Sequence, residues 1–312
     1  MYKVSVIIPV YNGGNRVAEA IKSVLKQTYP NFELIVVDDG SRDNTSAVVR
    51  SIQDERVMLL RHPNNRGICA ARNTALAAAS GEYIAFLDDD DIWEPTKLER
   101  QIELFRNNSN LGLIHTCAID IYDNGMVLRR CSYYEGNCYR KLLIRDGIIA
   151  SSAIVPRYCF ERVGYFDEDL RLYGDWDVWI KIAKDYQIGL VKEPLVRTRI
   201  RAGSLQHSEV SRCEMYRKRV LDKHWEEIER LGLRNKAYAW HYYSIGVQHL
   251  WKGEILEARK AFTRSLRYEI NLDCLAYLLC SFMPYRYRFW LRYLSRRFRC
   301  WSGGVWVGGL GR

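Results

Sequence analysis

Five residues suited to a buried strand, Tyr83-Ile84-Ala85-Phe86-Leu87, run straight into four carboxylates, Asp88 to Asp91, before Ile92-Trp93. A segment with no polar alternation fits a strand covered on both faces, which is the situation inside a parallel sheet. Four acids then emerge together at the C-terminal end of a central strand, where open α/β sheets bind ligands. Adjacent like charges repel one another, and carboxylate oxygens are preferred ligands of hard divalent cations such as Mg²⁺ or Mn²⁺. The competing reading is an acidic loop that only faces water, as charge runs usually do. The flanking sequence decides between them.

Strand and helix patterns alternate from the first residues onward. A strand over 4–10 ends in Pro9-Val10-Tyr11-Asn12-Gly13-Gly14, and an amphipathic helix follows through Val17, Ile21, Val24 and Leu25. A second apolar run, 32–37, stops at Asp38-Asp39-Gly40-Ser41, after which Asp43 or Asn44 can cap another helix. A third strand spans 57–60, and an alanine-rich helix over 68–79 closes at Gly81 before the Tyr83 strand. This alternation predicts a parallel sheet with helices on its faces. Its ligand edge gathers Pro9, Tyr11, Asp38, Asp39, Arg72 and the acidic cluster. The chain has neither G-x-G-x-x-G in the first turn nor G-x-x-x-x-G-K-[ST], so a dinucleotide fingerprint and a P-loop are both unsupported. A metal held by carboxylates could neutralise a diphosphate instead.

These segments, together with Gly67, Ala71-Arg72-Asn73 and Gly81-Glu82-Tyr83-Ile84, resemble the inverting family-2 glycosyltransferases in order and spacing over the first two-thirds of the chain. The resemblance implies a GT-A (nucleotide-diphospho-sugar transferase) fold: an α/β architecture with a mostly parallel central sheet flanked by helices, here with a helical C-terminal extension. It also implies that Pro9 and Tyr11 line a base pocket, that Asp39 meets the nucleobase edge, and that Arg72 lies close to the nucleotide. Asp88 and Asp90 match the family's D-x-D, with Asp88 near the ribose, Asp89 beside it on the donor side, and Asp90 on a Mn²⁺ or Mg²⁺ ion that bridges the diphosphate. A carboxylate can accept from a uracil-type N–H, and a cation stabilises charge on a departing diphosphate.

A second acidic locus follows at Tyr173-Gly174-Asp175-Trp176-Asp177. Displacing a nucleoside diphosphate with inversion needs a base that takes the acceptor hydroxyl's proton. The family draws that base from an acid pair opening a helix, and Asp175 matches it, although Gly174 stands where the first acid often sits. Asp175 could also cap the helix over 176–185, and one residue can do both. Farther on, Arg201 is a candidate diphosphate contact, and His207 a weaker one.

The expected organisation is a catalytic domain over 1–205, a helical extension over 206–270 and a basic, Gly-rich end over 271–312. Residues 240–266 are spaced like one tetratricopeptide unit, which alone is better read as a helical hairpin packed on the catalytic domain than as a docking repeat. The net charge of +10 arises entirely beyond Leu205, where 20 basic residues face 10 acidic ones, and no acid follows Asp273. If 287–301 is helical, Arg288, Arg292, Arg296 and Arg299 form one stripe while Trp290, Leu294, Phe298 and Trp301 form another. That suits an anionic membrane surface; no nucleic-acid-binding motif accompanies it.

The nine cysteines are scattered without a C-x-x-C pair, so free thiols in a reducing compartment are expected. With no signal-peptide pattern at the start, the expectation is a cytoplasmic protein held peripherally on the inner face of the cell membrane. The expected function is transfer of a sugar from a nucleotide-sugar, a UDP-sugar being favoured, to a saccharide or lipid-linked acceptor in cell-surface glycan synthesis. The alternative is a non-catalytic sugar-nucleotide-binding or scaffold protein acting through its helical region.

Overall fold

The computed structural model describes residues 1–200 and 209–283. Arg201, His207 and the arginine stripe expected over 287–301 lie outside the described residues.

The first four strands form as the apolar runs predict: β1 (Val4–Val10), β2 (Phe32–Asp38), β3 (Val57–Arg61) and β4 (Tyr83–Phe86). They lie in the order β3-β2-β1-β4, all parallel. The sheet continues through β5 (Ile92–Trp93), β6 (Leu111–Tyr122), β7 (Val127–Arg130), β8 (Ile154–Pro156) and β9 (Gln187–Ile200). The order beyond β4 is β8-β6-β9-β5, with β7 paired to β6. β8 runs antiparallel between β4 and β6, which restores the direction of β6 and β9; β5 and β7 oppose their neighbours. The sheet is therefore mixed, although most strands share one direction.

Every residue of β1 is buried, because the sheet is covered twice. Val4, Val6, Ile8 and Val10 pack with Val17, Ile21 and Val24 of α1 (Arg16–Leu25), Val49 of α2 (Thr45–Arg50), and Leu98, Ile102 and Phe105 of α4 (Lys97–Asn107). Ile7 on the other face joins Cys69, Ala71 and Ala75 of α3 (Ile68–Ala78). The short α5 (Tyr139–Leu142), α6 (Arg157–Val163) and α7 (Gly174–Asp185), with its fully buried Trp176 and Trp179, complete that layer. Registers pair Val10 with Asp38 and Ile7 with Phe86. The turn after β1, the acids ending β2 and the acids following β4 thus share one edge.

The helical region comprises α8 (Val210–Lys223), α9 (Trp225–Arg230), α10 (Arg234–Lys252), α11 (Ile255–Tyr268) and α12 (Leu272–Cys280). Cys213, Tyr216, Val220, Leu221, Ile228, Leu233 and Ala237 belong to the same core as Trp176 and Trp179. Farther out, Tyr243, Leu250, Ala258, Phe262, Cys274 and Tyr277 form a separate cluster between α10, α11 and α12. At the α10–α11 crossing a Cβ on Gly246 would lie 2.5 Å from the Phe262 ring, so only glycine allows this approach.

The expectation of free thiols is corrected at one pair. Cys117 and Cys131 are joined as a disulfide, with Cα atoms 4.4 Å apart. The β6–β7 hairpin pairs Ala118 with Arg130, and continuing that register sets the two cysteines directly opposite each other. Among the described residues, six other cysteines are buried and outside any disulfide. Among the described residues, no helix is long and apolar enough to cross a membrane.

Candidate active site

The sheet's ligand edge opens into a cleft of about 1310 Å³ that contains Pro9, Tyr11, Asp39, Arg72, Asp88 to Asp91 and Asp175 together. Every donor-side and base residue expected from sequence, apart from those outside the described residues, lines this one cavity.

Its first wall is the pair of turns after β1 and β2. The Asn12 N–H donates to Ser41 Oγ at 2.9 Å and the Arg42 N–H to Asn12 Oδ1 at 2.9 Å, which ties the turns together and leaves Tyr11 43% exposed beside them. The two acids of β2's end do different jobs. Asp38 is completely buried and builds its own turn, accepting from the Ser41 N–H at 2.8 Å and from Ser46 Oγ. Burial opposes its ionisation, yet those donors hold its carboxyl below the usual range. Asp39 anchors the loop before α3: Oδ1 accepts from the Arg66 N–H at 2.9 Å and contacts His62 Nδ1 at 2.7 Å, and Oδ2 accepts from the Gly67 N–H at 2.8 Å. Oδ2 keeps acceptor capacity.

The four consecutive acids also separate. Asp91 turns inward, taking the Ser151 hydroxyl at 2.6 Å and the Arg199 N–H at 3.3 Å; burial, then the charge of Asp88, pushes its carboxyl well above the ordinary range. Asp88, Asp89 and Asp90 are partly exposed in the cleft. Arg72, 3% exposed, donates to Asp88 Oδ1 at 3.1 Å and packs its guanidinium near the rings of Phe166 and Phe86. Burial and the charges of Asp90 and Asp88 raise the Asp89 carboxyl to about 7. The cluster therefore holds more negative charge than its surroundings offset, which fits a cation. Among the described residues no three His, Cys, Asp or Glu side chains converge as a ready-made cage. Mg²⁺-type sites commonly use one or two carboxylates and complete their shell with substrate phosphates, so the donor set fits that kind of site.

Asp175 stands in the first turn of α7, preceded by Tyr173 in the left-handed region at φ 62°. Tyr173 occupies the cap position, so Asp175 is within the helix and not its cap. Its carboxyl is raised by burial against the opposing charge of Arg72, with Asp88 pushing it further up. The glycine before it has a steric cause: a Cβ at Gly174 would drive into Cys69 Sγ of α3. An acid at that position would force Cys69 Sγ to move. A different carboxylate comes close instead. Asp146 is pushed up to about 7 by burial and by the charge of Asp175, against Arg217 and the N–H groups of Ile148 and Gly147. Its Oδ1 is the one buried carboxylate oxygen with no hydrogen-bond partner among the described residues. Asp177 faces away and is fully buried, meeting Lys181 of its own helix at 2.7 Å and locking to the end of α8 through Lys223 at 2.9 Å and His224 at 2.8 Å.

Sequence reasoning missed Asp146 and the share of the cleft built by the helical region: Arg212, Trp240, Trp251 and Asp273 all line it. Nothing local marks them, because they reach the cleft only through the packing of α8 and α10 on the core and of α12 on α10 and α11. The one available signal was the charge and aromatic richness beyond Leu205.

Comparison with known proteins now separates the possibilities. The profile of "Glycosyl transferase family 2" matches residues 5–169. The chain belongs to glycosyl transferase family 2. It is 33% identical over 250 residues to the Escherichia coli "UDP-Glc:alpha-D-GlcNAc-diphosphoundecaprenol beta-1,3-glucosyltransferase WfgD", covering 79% of this chain and 94% of that one. It is 32% identical to "Uncharacterized glycosyltransferase RP339" of Rickettsia prowazekii over 68% of this chain and 69% of the relative. Among solved structures, S. aureus TarS 1-349 in complex with UDP-GlcNAc superposes with a TM-score of 0.63 at 16% identity, covering 97% of this chain and 95% of that one. The mannosyltransferase PcManGT of Pyrobaculum calidifontis, with GDP-Man and Mn²⁺, gives 0.60 at 21% identity over 92% and 82%. The fold of this family-2 enzyme is therefore the GT-A fold, and its activity is glycosyl transfer from a nucleotide-sugar donor.

Proposed function

We propose that this glycosyltransferase works with inversion, depends on a divalent cation, prefers a UDP-sugar, and acts on a saccharide or lipid-linked acceptor in cell-surface glycan synthesis. The observation that carries the reading is one cleft lined by both acidic loci, with Arg72 acting on Asp88 and Asp175 alike. The acceptor preference is supported by WfgD, whose name gives a diphosphoundecaprenol-linked sugar as its acceptor.

In this reading Tyr11 and Pro9 cover one face of the base, Asp39 Oδ2 meets its edge, and Asp88 and Asp89 lie along the ribose and diphosphate. Asp90, with Asp88, would hold Mn²⁺ or Mg²⁺ together with donor phosphate oxygens, and the ion supplies Lewis-acid stabilisation of the leaving diphosphate. Asp175 takes the proton of the acceptor hydroxyl as its oxygen bonds to the anomeric carbon and the bond to the diphosphate breaks, releasing the nucleoside diphosphate. A base held above the ordinary carboxylate range is a stronger proton acceptor once ionised. The basic C-terminal sequence beyond Met283 holds the enzyme at an anionic membrane surface.

Calorimetric titration with UDP, GDP and dTDP, each with Mn²⁺ and with EDTA, tests the donor half. Metal-dependent binding of UDP, lost in Asp90→Ala, is the expected result. Equal binding in EDTA would reject the cation, and absence of all nucleotide binding by folded protein would move the scaffold alternative forward.

A further inference from the structure

Helix α12 is apolar on both sides, which a short surface helix has no reason to be unless both sides are covered. Its inner side is accounted for: Cys274, Tyr277 and Leu278 pack into the cluster shared with α10 and α11. Its outer side is not. Leu272 is 80% exposed, Leu275 39%, and Leu279 58%, and Phe282 follows at 63% with Met283 beside it. Positions 272, 275, 279 and 282 recur at helical spacing, so these side chains share one face.

Two observations bear on what covers that face. Asp273, in the first turn of α12, lines the catalytic cleft, and at helical spacing it lies more than a quarter turn from Leu272, Leu275 and Leu279, so the leucine face looks away from the cleft. The rim is cationic: Arg259 donates to Ser281 Oγ at 3.0 Å and to its carbonyl oxygen at 2.8 Å, holding its guanidinium 3.7 Å from the centre of the Phe282 ring. The sequence that continues from Met283 adds Arg286, Arg288, Arg292, Arg296, Arg297 and Arg299 with no acid. Apolar side chains bordered by arginine match an anionic lipid interface, where hydrocarbon contact and headgroup attraction act together.

We propose that the outer face of α12, turned away from the catalytic cleft, inserts into the surface of an anionic bilayer. The proposal deepens the membrane reading above but rests on different residues from the basic C-terminal sequence.

The test is flotation of the full-length protein with phosphatidylcholine vesicles and with vesicles of equal parts phosphatidylcholine and phosphatidylglycerol. Wild type is expected to float with the phosphatidylglycerol vesicles. Leu275→Asp/Leu279→Asp should lower the bound fraction about tenfold, since binding scales with buried apolar area. Both side chains point to solvent, so melting temperature and UDP binding should not change. A four-site variant, Arg288→Gln/Arg292→Gln/Arg296→Gln/Arg299→Gln, examines the basic sequence separately. Loss in the leucine variant upholds the proposal, whether or not the arginine variant also loses binding; loss in the leucine variant alone also sinks the reading of the arginine stripe. Loss in the arginine variant alone overturns the proposal while that reading survives. Failure of wild type to float overturns both. A leucine variant that floats normally but elutes from size-exclusion chromatography as a smaller species assigns the face to a second copy of the chain, and also overturns it.

Discussion

The two sides of the cleft are built in opposite ways. On the donor side, each acid sits within a few residues of the strand that delivers it, and parallel pairing of β1, β2 and β4 aligns them. On the acceptor side, Asp175 depends on Cys69 of α3 leaving room for Gly174, on Asp146 from the segment after α5, and on Asp177 locked to α8 through Lys223 and His224. Local order suffices to line up the proposed nucleotide side, whereas the proposed acceptor side is assembled from distant segments.

The contrast breaks most sharply at the base. Asp175→Asn should lower turnover by about 10²–10⁴-fold while nucleotide binding, a donor-side property, stays near wild type. Retained turnover in a steady-state assay would remove Asp175 from the mechanism. Asp90→Ala is the donor-side counterpart: metal-dependent UDP binding should weaken by roughly tenfold or more, about 1.4 kcal/mol, and the residual binding should no longer respond to EDTA in calorimetry.

The packing behind Asp175 gives the next largest effect. Gly174→Ala should destabilise the fold by about 1–3 kcal/mol, because the added methyl meets Cys69 Sγ. Pairing it with Cys69→Ala should recover part of that loss in chemical denaturation. Full additivity of the two changes would show that the sulfur is not what excludes a side chain at 174.

The smallest effects are in pH. Asp89 holds its proton in the folded cleft up to about 7, above an unfolded carboxylate. The stability it contributes is present below the unfolded value and is lost as pH rises through about 7. The melting temperature of metal-free wild type, relative to Asp89→Asn, should therefore fall by roughly 2–4 °C between mildly acidic and mildly basic buffer, and Mn²⁺ should reduce the difference. On the acceptor side, the charge of Asp175 helps to raise Asp146, so Asp175→Asn should let the Asp146 carboxyl titrate at lower pH when followed by carboxylate NMR. An unmoved titration would show that the two carboxyls do not interact.

The alternation of apolar runs and turns was legible because a strand covered on both faces has a local signature: β1 spans Val4–Val10 and α3 spans Ile68–Ala78, close to what the pattern alone predicts. The acidic loci were legible for the same reason, since carboxylates at strand ends and at a helix start stand out against apolar neighbours. Their division of labour was not. Nothing in four consecutive aspartates says that Asp91 turns toward Ser151 while its three neighbours face the cleft, or that Asp38 builds a turn while Asp39 anchors a loop. The Cys117–Cys131 pairing escaped too, because it depends on hairpin register and not on sequence spacing.

The sequence by itself determined the family, the sheet's parallel half and the residue types at its ligand edge, because these follow from periodicity and motif order along a continuous chain. Tertiary structure alone decided that Asp146 and Asp175 line one cleft, that Gly174 packs tightly against Cys69, and that Trp240 and Asp273 reach the cleft. Those relations join residues far apart in the chain, and they are set by how close-packed layers interdigitate, which no local pattern encodes.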